Sequence, residues 1–182
     1  MILLVTGGSL AAENNSRSAT ASQIKAAFLY NFVKFITWPE QGTNPTDTIH
    51  LCVYGEKGER DAFFSLQGKQ IKGKKIVVES FLTDDIPPHC QLLYLPATAG
   101  DDTLPGAFDS VTRQVLKKVA DKPVVTVGET ASFIQSGGLI RFVPAKNRIR
   151  FAINNGAARK KGITISSRLL ALAEIVSSDP QQ

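Results

Sequence analysis

Two histidines and two cysteines are the residues of this chain best suited to catalysis or metal binding. His50 and His89 are far apart in the sequence and form no i, i+4 pair of the kind that binds zinc on a helix. Cys90 follows His89 directly, and neighbouring side chains on extended backbone point apart. A Cys–His nucleophile is therefore not expected. We predict that the protein is not an enzyme and that it uses neither a metal nor another cofactor.

The sequence lacks the glycine-rich and nucleophile motifs of common enzyme classes. It has no GxxxxGK[ST] phosphate loop, no GxGxxG after the first predicted strand, and no GxSxG nucleophile elbow. A glycine-flanked turn at residues 54–58 follows a strand, where doubly wound folds bind ligands. A tight strand-to-helix turn is the simpler explanation. These patterns favour a protein that binds other molecules over one that converts them.

The first dozen residues are typical of the end of a secretory signal peptide. An apolar stretch leads into small residues, and Ser9-Leu10-Ala11 fits the small-x-small cleavage rule. Residues 1–21 are interpreted as a signal-peptide remnant followed by a flexible N-terminus, and a simple disordered N-terminus is the alternative. No apolar run reaches the roughly 18 residues that span a bilayer. If the protein is exported, Cys52 and Cys90 suggest one disulfide; otherwise both are buried thiols.

Positive charge is concentrated in the C-terminal part of the chain. The formal net charge is +5, yet residues 1–110 carry 9 Lys and Arg against 12 Asp and Glu, whereas residues 111–182 carry 12 against 4. This asymmetry predicts a basic surface for a partner, and a solvated face without a partner explains it equally well. Nucleic acid is not expected, because an exported protein seldom meets it. A polyanionic cell-wall or membrane surface matches the charge better.

Strands alternate with helices along most of the chain. The apolar patterns predict helices at 22–38, 59–66, 108–120 and 166–176, and strands at 49–54, 75–79, 91–95 and 124–127. Residues 139–144 and 148–154 read as a closing β-hairpin. The predicted fold class is α/β, with a mostly parallel central sheet flanked by helices and a C-terminal antiparallel hairpin. Residues 22–178 are expected to form a single domain, with strand 91–95 near the centre of the sheet.

Three surfaces are candidates for partner contact. The first helix is apolar on nearly all sides, so it is either sandwiched in the core or offers a spare apolar face. The hairpin places basic residues on one face of its second strand by period two. The last helix carries an apolar stripe. The candidate contact residues are Phe28, Phe32, Phe35 and Trp38 of the first helix, Arg141, Arg148 and Arg150 of the hairpin, and Leu169 and Leu172 of the last helix.

Several stretches together resemble the YfiR family of periplasmic proteins. The most specific are IKAAFLYNFVKFITWP at 24–39 and GITISSRLLALA at 162–173, and the others lie at 51–55, 90–95, 124–129, 133–140 and 150–154. The resemblance covers residues 22–176. It implies a periplasmic α/β domain that represses a membrane-bound diguanylate cyclase by binding its periplasmic sensor part, and so controls cyclic-di-GMP and biofilm formation. It also implies a possible outer-membrane lipoprotein partner with a peptidoglycan-binding domain, and a homodimer.

The same resemblance implies a Cys52–Cys90 disulfide, since both residues match a cysteine pair of the family. Such a bridge would stabilise the fold by about 3–4 kcal/mol through loop closure. Well-studied relatives carry a second pair linked to redox response, but residues 124–154 contain no cysteine. Redox control through a second bridge is therefore not expected here. A peptidoglycan or small-ligand binder without a cyclase partner is the alternative function.

Overall fold

The computed structural model of the protein describes residues 11–40, 47–55, 61–82, 85–97, 107–146 and 148–177. Most of the proposed signal-peptide remnant, residues 1–10, and most of the glycine-flanked turn at 54–58 lie outside the described residues. Within the described ranges, no helix combines the length and the apolar content that a membrane crossing requires.

One sheet of eight strands forms the centre of the described structure. Its strands are β2 (Thr48–Tyr54), β3 (Gln70–Ile71), β4 (Lys74–Phe81), β5 (Leu92–Leu95), β6 (Val125–Gly128), β7 (Ile140–Ala145), β8 (Arg148–Ile153) and β10 (Glu174–Ile175). Their spatial order is β10-β8-β7-β6-β5-β2-β4-β3. The pairs β2–β4, β2–β5, β5–β6, β6–β7 and β8–β10 are parallel, whereas β3–β4 and the hairpin β7–β8 are antiparallel.

The predicted fold class is confirmed, including the interior position of the third predicted strand. That strand, β5, lies between β2 and β6 and is buried along its whole length. A strand buried on both faces needs apolar residues at successive positions, which explains its unbroken Leu-Leu-Tyr-Leu sequence. A second, two-stranded antiparallel sheet joins β1 (Ile36–Thr37) to β9 (Thr164–Ile165).

Two hydrophobic cores cover the two faces of the large sheet. On one face α1 (Ala11–Phe35) packs with the side chains of Ile49, Leu51 and Val53 of β2. On the other face α3 (Ala107–Lys118) packs through Val115 and Leu116. Three short helices complete the described structure: α2 (Asp61–Phe64), α4 (Asn155–Lys160) and α5 (Ser167–Leu170).

Aromatic side chains join the first helix to the hairpin. The ring of Phe32 lies 5.1 Å from that of Phe151 and 5.9 Å from that of Phe142, measured between centroids. Phe28 contacts the same two rings at 5.7 and 5.8 Å. Such aromatic pairs add to the burial of apolar area. The inner side of α1 is therefore core, which settles one part of the choice between a sandwiched helix and a spare apolar face.

A mostly buried polar contact anchors α1 through Lys25. Lys25 Nζ lies 2.6 Å from Glu129 Oε1, and both side chains are mostly buried. The hydroxyl of Tyr94 donates to the same carboxylate oxygen. Because this carboxylate has two partners, they offset the free-energy cost of burying its charge next to β5 and β6. The contact fixes the helix over the ends of these two strands.

The first helix differs from the predicted range at both ends. It begins at Ala11, so residues 13–21, which the sequence predicts to be flexible, continue the helix. It ends at Phe35, and the next two residues form β1 instead of a last helical turn before Pro39. Ser166 N donates to Phe35 O at 2.9 Å, and β1 pairs with β9. This distant strand supplies hydrogen bonds that compete with helix continuation.

The predicted last helix, 166–176, is wrong over its second half. Helix α5 ends at Leu170, and the chain then turns into β10, which pairs in parallel with β8. Val176 N donates to Ile153 O at 3.0 Å. The open edge of β8 offers backbone hydrogen bonds that the apolar stripe alone does not reveal. Strand β10 therefore covers the end of β8, and the hairpin is not the outermost part of the sheet there.

Candidate functional site

A disulfide bonds Cys52 of β2 to Cys90, which lies just before β5. Both residues are buried, and their Cα atoms are 5.9 Å apart, an ordinary spacing for such a bridge. Since β2 and β5 are adjacent parallel strands, the bond ties residues that enter β5 to the middle of β2. The cysteine pairing that the resemblance implies is confirmed.

The bridge lies beside a cluster of three polar side chains, which we call the His–Glu–His cluster. It consists of His50 on β2, Glu79 on β4 and His89 in the segment that leads to β5. Glu79 Oε1 lies 2.7 Å from His50 Nδ1 and 2.8 Å from His89 Nε2. The two imidazole rings meet nearly edge to face, with centroids 4.2 Å apart. Both histidines thus converge on a single carboxylate oxygen.

Strand register explains why these three side chains meet. His50 and Cys52 are two residues apart on β2, so their side chains share one face of the sheet. Glu79 is directly opposite Cys52 in the parallel pair β2–β4, which places its side chain on that same face. His89 precedes Cys90, and the disulfide brings it to this face. The covalent bond therefore positions the third member of the cluster.

Further hydrogen bonds hold the segment before β5 against β2. Gln91 N donates to His50 O, and His50 N donates to Gln91 Oε1, each at 3.1 Å. Trp38 Nε1 donates to Gln91 O, also at 3.1 Å. These contacts fix the backbone directly after Cys90. The position of the His89 ring is therefore set by main-chain bonds as well as by the bridge.

The carboxylate of Glu79 is held in its ionised form. Burial opposes ionisation, but hydrogen bonds from His50 and His89, together with their charges, outweigh it, so the pKa of Glu79 lies below its ordinary value. The far nitrogen of His50, Nε2, lies 3.1 Å from Thr48 Oγ1, which fixes the orientation of the ring. The cluster stays open to solvent, with side-chain exposures of 17% for His50, 32% for Glu79 and 36% for His89.

Sequence reasoning missed this cluster, because the separation of the histidines in the sequence does not persist in the fold. The signal was present in two short spacings. His50 lies two positions before one cysteine, and His89 lies one position before the other. Given a bridge between the cysteines, these spacings bring the two imidazoles within a few ångströms of each other. Glu79 carried no comparable signal, since only the register of β4 brings it there.

The three candidate arginines share one face of the hairpin, although the sequence pattern predicted a shared face only for the basic residues of its second strand. Arg141 is opposite Ala152, two residues beyond Arg150 on β8, and Arg148 lies two residues before Arg150. Arg148 and Arg150 are exposed. Arg141 is half-buried, and its Nη1 donates to Ala131 O at 3.3 Å. Of these three candidates, Arg148 and Arg150 are therefore the ones exposed to a partner.

The apolar candidates divide between core and surface. Phe32 and Leu169 are buried, so their prediction as contact residues is corrected: each fills the core and cannot reach a partner. Phe28, Phe35 and Trp38 are partly buried and pack against the core under α1. Leu172 is 73% exposed, and Ile175, which the sequence analysis did not single out, is 56% exposed.

A basic pocket of about 560 Å³ lies between α3 and α4. Lys161 donates from Nζ to Val119 O at 2.6 Å in its wall. Burial lowers the pKa of Lys161, although the charge of Asp121 works in the opposite direction. The pocket is lined by Arg113, Leu116, Lys117, Ala120, Asp121, Ser136, Gly137, Ala157, Lys160 and Lys161.

Comparison with known proteins agrees with this architecture. A crystal structure of a conserved domain protein from Vibrio cholerae superposes with a TM-score of 0.51 at 12% sequence identity, which shows a shared fold and nothing more. The match covers 85% of this chain and 59% of that chain, so this chain spans less than two thirds of the length of that protein. The model of the YfiR/HmsC-like family matches residues 22–174, which is most of the chain and nearly all of its described structure. The chain therefore belongs to the YfiR/HmsC-like family.

Proposed function

We propose that this protein acts in the periplasm and represses a membrane-bound diguanylate cyclase by binding the periplasmic sensor part of that enzyme. Membership of a family of periplasmic regulators of diguanylate cyclases is the observation that carries the proposal. Repression works by occupancy: the bound partner is held inactive, and an envelope signal that competes for the same surface releases it. Cyclic-di-GMP then rises and biofilm formation follows.

The proposed contact surface is the β8–β10 edge of the large sheet. We define this edge surface as Arg148 and Arg150 together with Leu172 and Ile175. All four side chains are exposed, and β10 pairs directly with β8. Arginine and large apolar side chains are both enriched in protein interfaces. This edge exposes the two arginines on one face of the sheet and Ile175, which pairs with Ile153, on the other face. The two arginines favour an acidic patch on the partner.

The genetic test measures cyclic-di-GMP in cells that lack this gene and retain the cyclase. Deletion should raise the nucleotide level, and the unaltered gene should restore it. The double variant Arg148→Glu, Arg150→Glu should fail to restore it, because charge reversal repels the acidic partner. The matched control is Arg159→Glu with Lys160→Glu, two exposed basic residues on α4 of the same basic half of the chain. An unchanged nucleotide level on deletion overturns the proposal.

The biochemical test measures binding of the purified protein to the purified periplasmic sensor part of the cyclase. Affinity should fall as salt rises, since exposed charges are screened. Leu172→Ser should weaken binding at every salt concentration, because it removes apolar contact area. Equal affinity for the hairpin double variant and the α4 control variant would place the contact elsewhere on the molecule.

The pocket between α3 and α4 supports a second candidate function, the binding of small anions or peptidoglycan fragments. Arg113, Lys117 and Lys160 give its rim a positive charge, opposed by Asp121. Retention on purified sacculi tests this function. Retention that is lost with Arg159→Glu, Lys160→Glu but kept with the hairpin variant favours the pocket. Loss in the triple variant Arg141→Ala, Arg148→Ala, Arg150→Ala alone favours the hairpin as the cell-wall contact.

An outer-membrane lipoprotein partner and a homodimer remain further proposals of this kind. Both follow from the family and both would compete with the cyclase if they used the edge surface. Light scattering of the purified protein over a concentration series measures the homodimer. A dimer that persists in the Leu172→Ser variant would use another surface.

A further inference from the structure

We propose that His50, Glu79 and His89 form a binding site for a divalent transition-metal ion of the zinc type, and that the Cys52–Cys90 bridge positions the third ligand. The donor atoms His50 Nδ1, Glu79 Oε1 and His89 Nε2 lie within 4.8 Å of one another. Two imidazoles and one carboxylate are a donor set that suits zinc, with a fourth position left for water or a partner's side chain.

The distances fit exchange of the present hydrogen bonds for metal bonds. Ligands about 2.0–2.1 Å from a tetrahedral zinc ion are roughly 3.3 Å apart. Glu79 Oε1 is now 2.7 and 2.8 Å from the two imidazole nitrogens. Glu79 Oε1 therefore needs to move away from each nitrogen by about half an ångström for the ion to enter. The two nitrogens lie within 4.8 Å of each other and need a separation of roughly 3.3 Å. Partial exposure of all three side chains gives the ion a path from solvent.

The surroundings have the features of a built site. Metal-bound histidines commonly donate their other ring nitrogen to a polar group, which orients the ring. Here Thr48 Oγ1 is 3.1 Å from His50 Nε2, so binding through Nδ1 leaves that nitrogen to donate to the hydroxyl. The carboxylate is already ionised, because the pKa of Glu79 is lowered. No backbone rearrangement is needed on β2 or β4, whose register brings two of the ligands together.

A simple ion-pair network is the competing explanation, and it accounts for less of the geometry. Exposed ion pairs contribute only about 0–1 kcal/mol each. One carboxylate and one histidine would satisfy the charge, whereas here a second imidazole approaches the same oxygen and packs against the first. The Cys52–Cys90 disulfide helps to bring this second imidazole, that of His89, into place. The convergence of three donor atoms next to a disulfide therefore favours a metal-binding site over a simple ion pair.

The position of His89 in the metal site should depend on whether the Cys52–Cys90 disulfide is intact or reduced. A dithiol reductant breaks the sulfur–sulfur bond, leaves two thiols on Cys52 and Cys90, and is itself oxidised to a disulfide. The residues before β5 then lose their covalent tie to β2. His89 then keeps its hydrogen bond to Glu79 and the hydrogen bonds of the neighbouring Cys90 and Gln91, but it loses the covalent tie. Metal affinity should therefore fall when the bridge is absent.

Titration of the untagged, chelator-stripped protein with Zn²⁺ by calorimetry tests the site. About one equivalent should bind, and Co²⁺ should give the visible absorption of a tetrahedral ion. The sequence has only two histidines, so histidine coordination of any metal must use this pair. His89→Gln and Glu79→Gln should each lower the affinity at least about 10-fold. The matched control Glu174→Gln, an exposed carboxylate on β10, should leave it unchanged.

Three results would overturn the inference. No binding of Zn²⁺ or Co²⁺ to the folded protein would remove the site altogether. Equal affinity in Glu79→Gln, His89→Gln and the unaltered protein would mean adventitious binding elsewhere. Unchanged affinity in the folded double variant Cys52→Ala, Cys90→Ala would remove the positioning role of the bridge. If that double variant does not fold, His89→Gln still decides the site, with circular dichroism as the check on folding.

Discussion

The ring of His50 lies 4.2 Å from that of His89, although one residue is inside a strand and the other precedes a different strand. The disulfide between two nearby cysteines helps to bring the two rings together. Cys52 is two positions beyond His50 and Cys90 is one position beyond His89, and these cysteines are joined. The disulfide thus contributes to the geometry of a polar cluster as well as to the stability of the fold.

Removal of the bridge should destabilise the protein without changing its fold class. The bond closes a loop of 38 residues, and its loss in Cys52→Ala, Cys90→Ala should lower the free energy of unfolding by about 3–4 kcal/mol. Urea unfolding followed by circular dichroism measures the change. The unaltered protein treated with a reductant should lose a similar amount. A loss below about 1 kcal/mol in both samples would contradict the chain-entropy account.

Phe32 should matter for stability, whereas Leu172 should matter for partner binding. Phe32 is buried among the rings of Phe142 and Phe151, so Phe32→Ala should cost about 3–5 kcal/mol of unfolding free energy. Leu172 is mostly exposed, and Leu172→Ala should change stability by less than about 0.5 kcal/mol. Thermal unfolding of both variants tests the pair. A large stability loss in Leu172→Ala would mean that this side chain is covered.

Gly138 should not tolerate a side chain, because the ring of Phe133 occupies the space that a Cβ atom would need. The carbonyl oxygen of Phe133 is also close, at 2.7 Å from that position. Phe133 is fully buried, so Gly138→Ala forces a shift in a packed core and should cost about 1–3 kcal/mol.

Gly156 in α4 is the matched control for Gly138. The nearest atom to an added Cβ is Asn154 Oδ1 at 3.6 Å, an ordinary contact. Gly156→Ala should be neutral or stabilise by up to about 1 kcal/mol, since alanine favours a helix. Chemical denaturation of the two variants measures both changes. The expectation fails if the two substitutions shift the unfolding midpoint equally.

Lys161 should give the protein a rise in stability at alkaline pH. Burial lowers the pKa of its amine below that in the unfolded chain, against the opposing charge of Asp121. Below the folded-state pKa both states hold the proton, and burying the charge costs stability. As pH rises through the folded-state pKa towards the ordinary value near 10.5, the native state loses its proton first, so the unfolded state binds more protons and this cost disappears.

The comparison variant for this titration is Lys161→Met, which keeps the aliphatic stem and removes the amine. The unfolding free energy of the unaltered protein, relative to that of Lys161→Met, should therefore increase as the pH rises towards 10.5. Differential measurement cancels the titration of the other lysines and of tyrosine. A difference that stays constant with pH would show that the amine is fully hydrated in the folded state.

The local pattern of the sequence determined the longer strands, most of the helices and the hairpin. Period-two alternation placed Arg148 and Arg150 on one face of β8, and the unbroken apolar sequence of β5 placed it inside the sheet. These inferences succeed because alternation and burial are properties of neighbouring residues on one element. The cysteine pairing came from the family resemblance instead of from spacing.

Contacts between distant segments decided the rest. The register of β2 and β4 brought Glu79 to the two histidines, and the open edge of β8 drew Glu174 and Ile175 into a strand that the apolar stripe had predicted as helix. Phe32 became core because the hairpin covers it. Residues far apart in a sequence carry no record of their pairing in local periodicity, since strand order and register depend on the packing of the whole sheet. The sequence alone therefore determined the main strands and the longer helices, whereas the tertiary structure decided the short paired strands and which distant side chains meet.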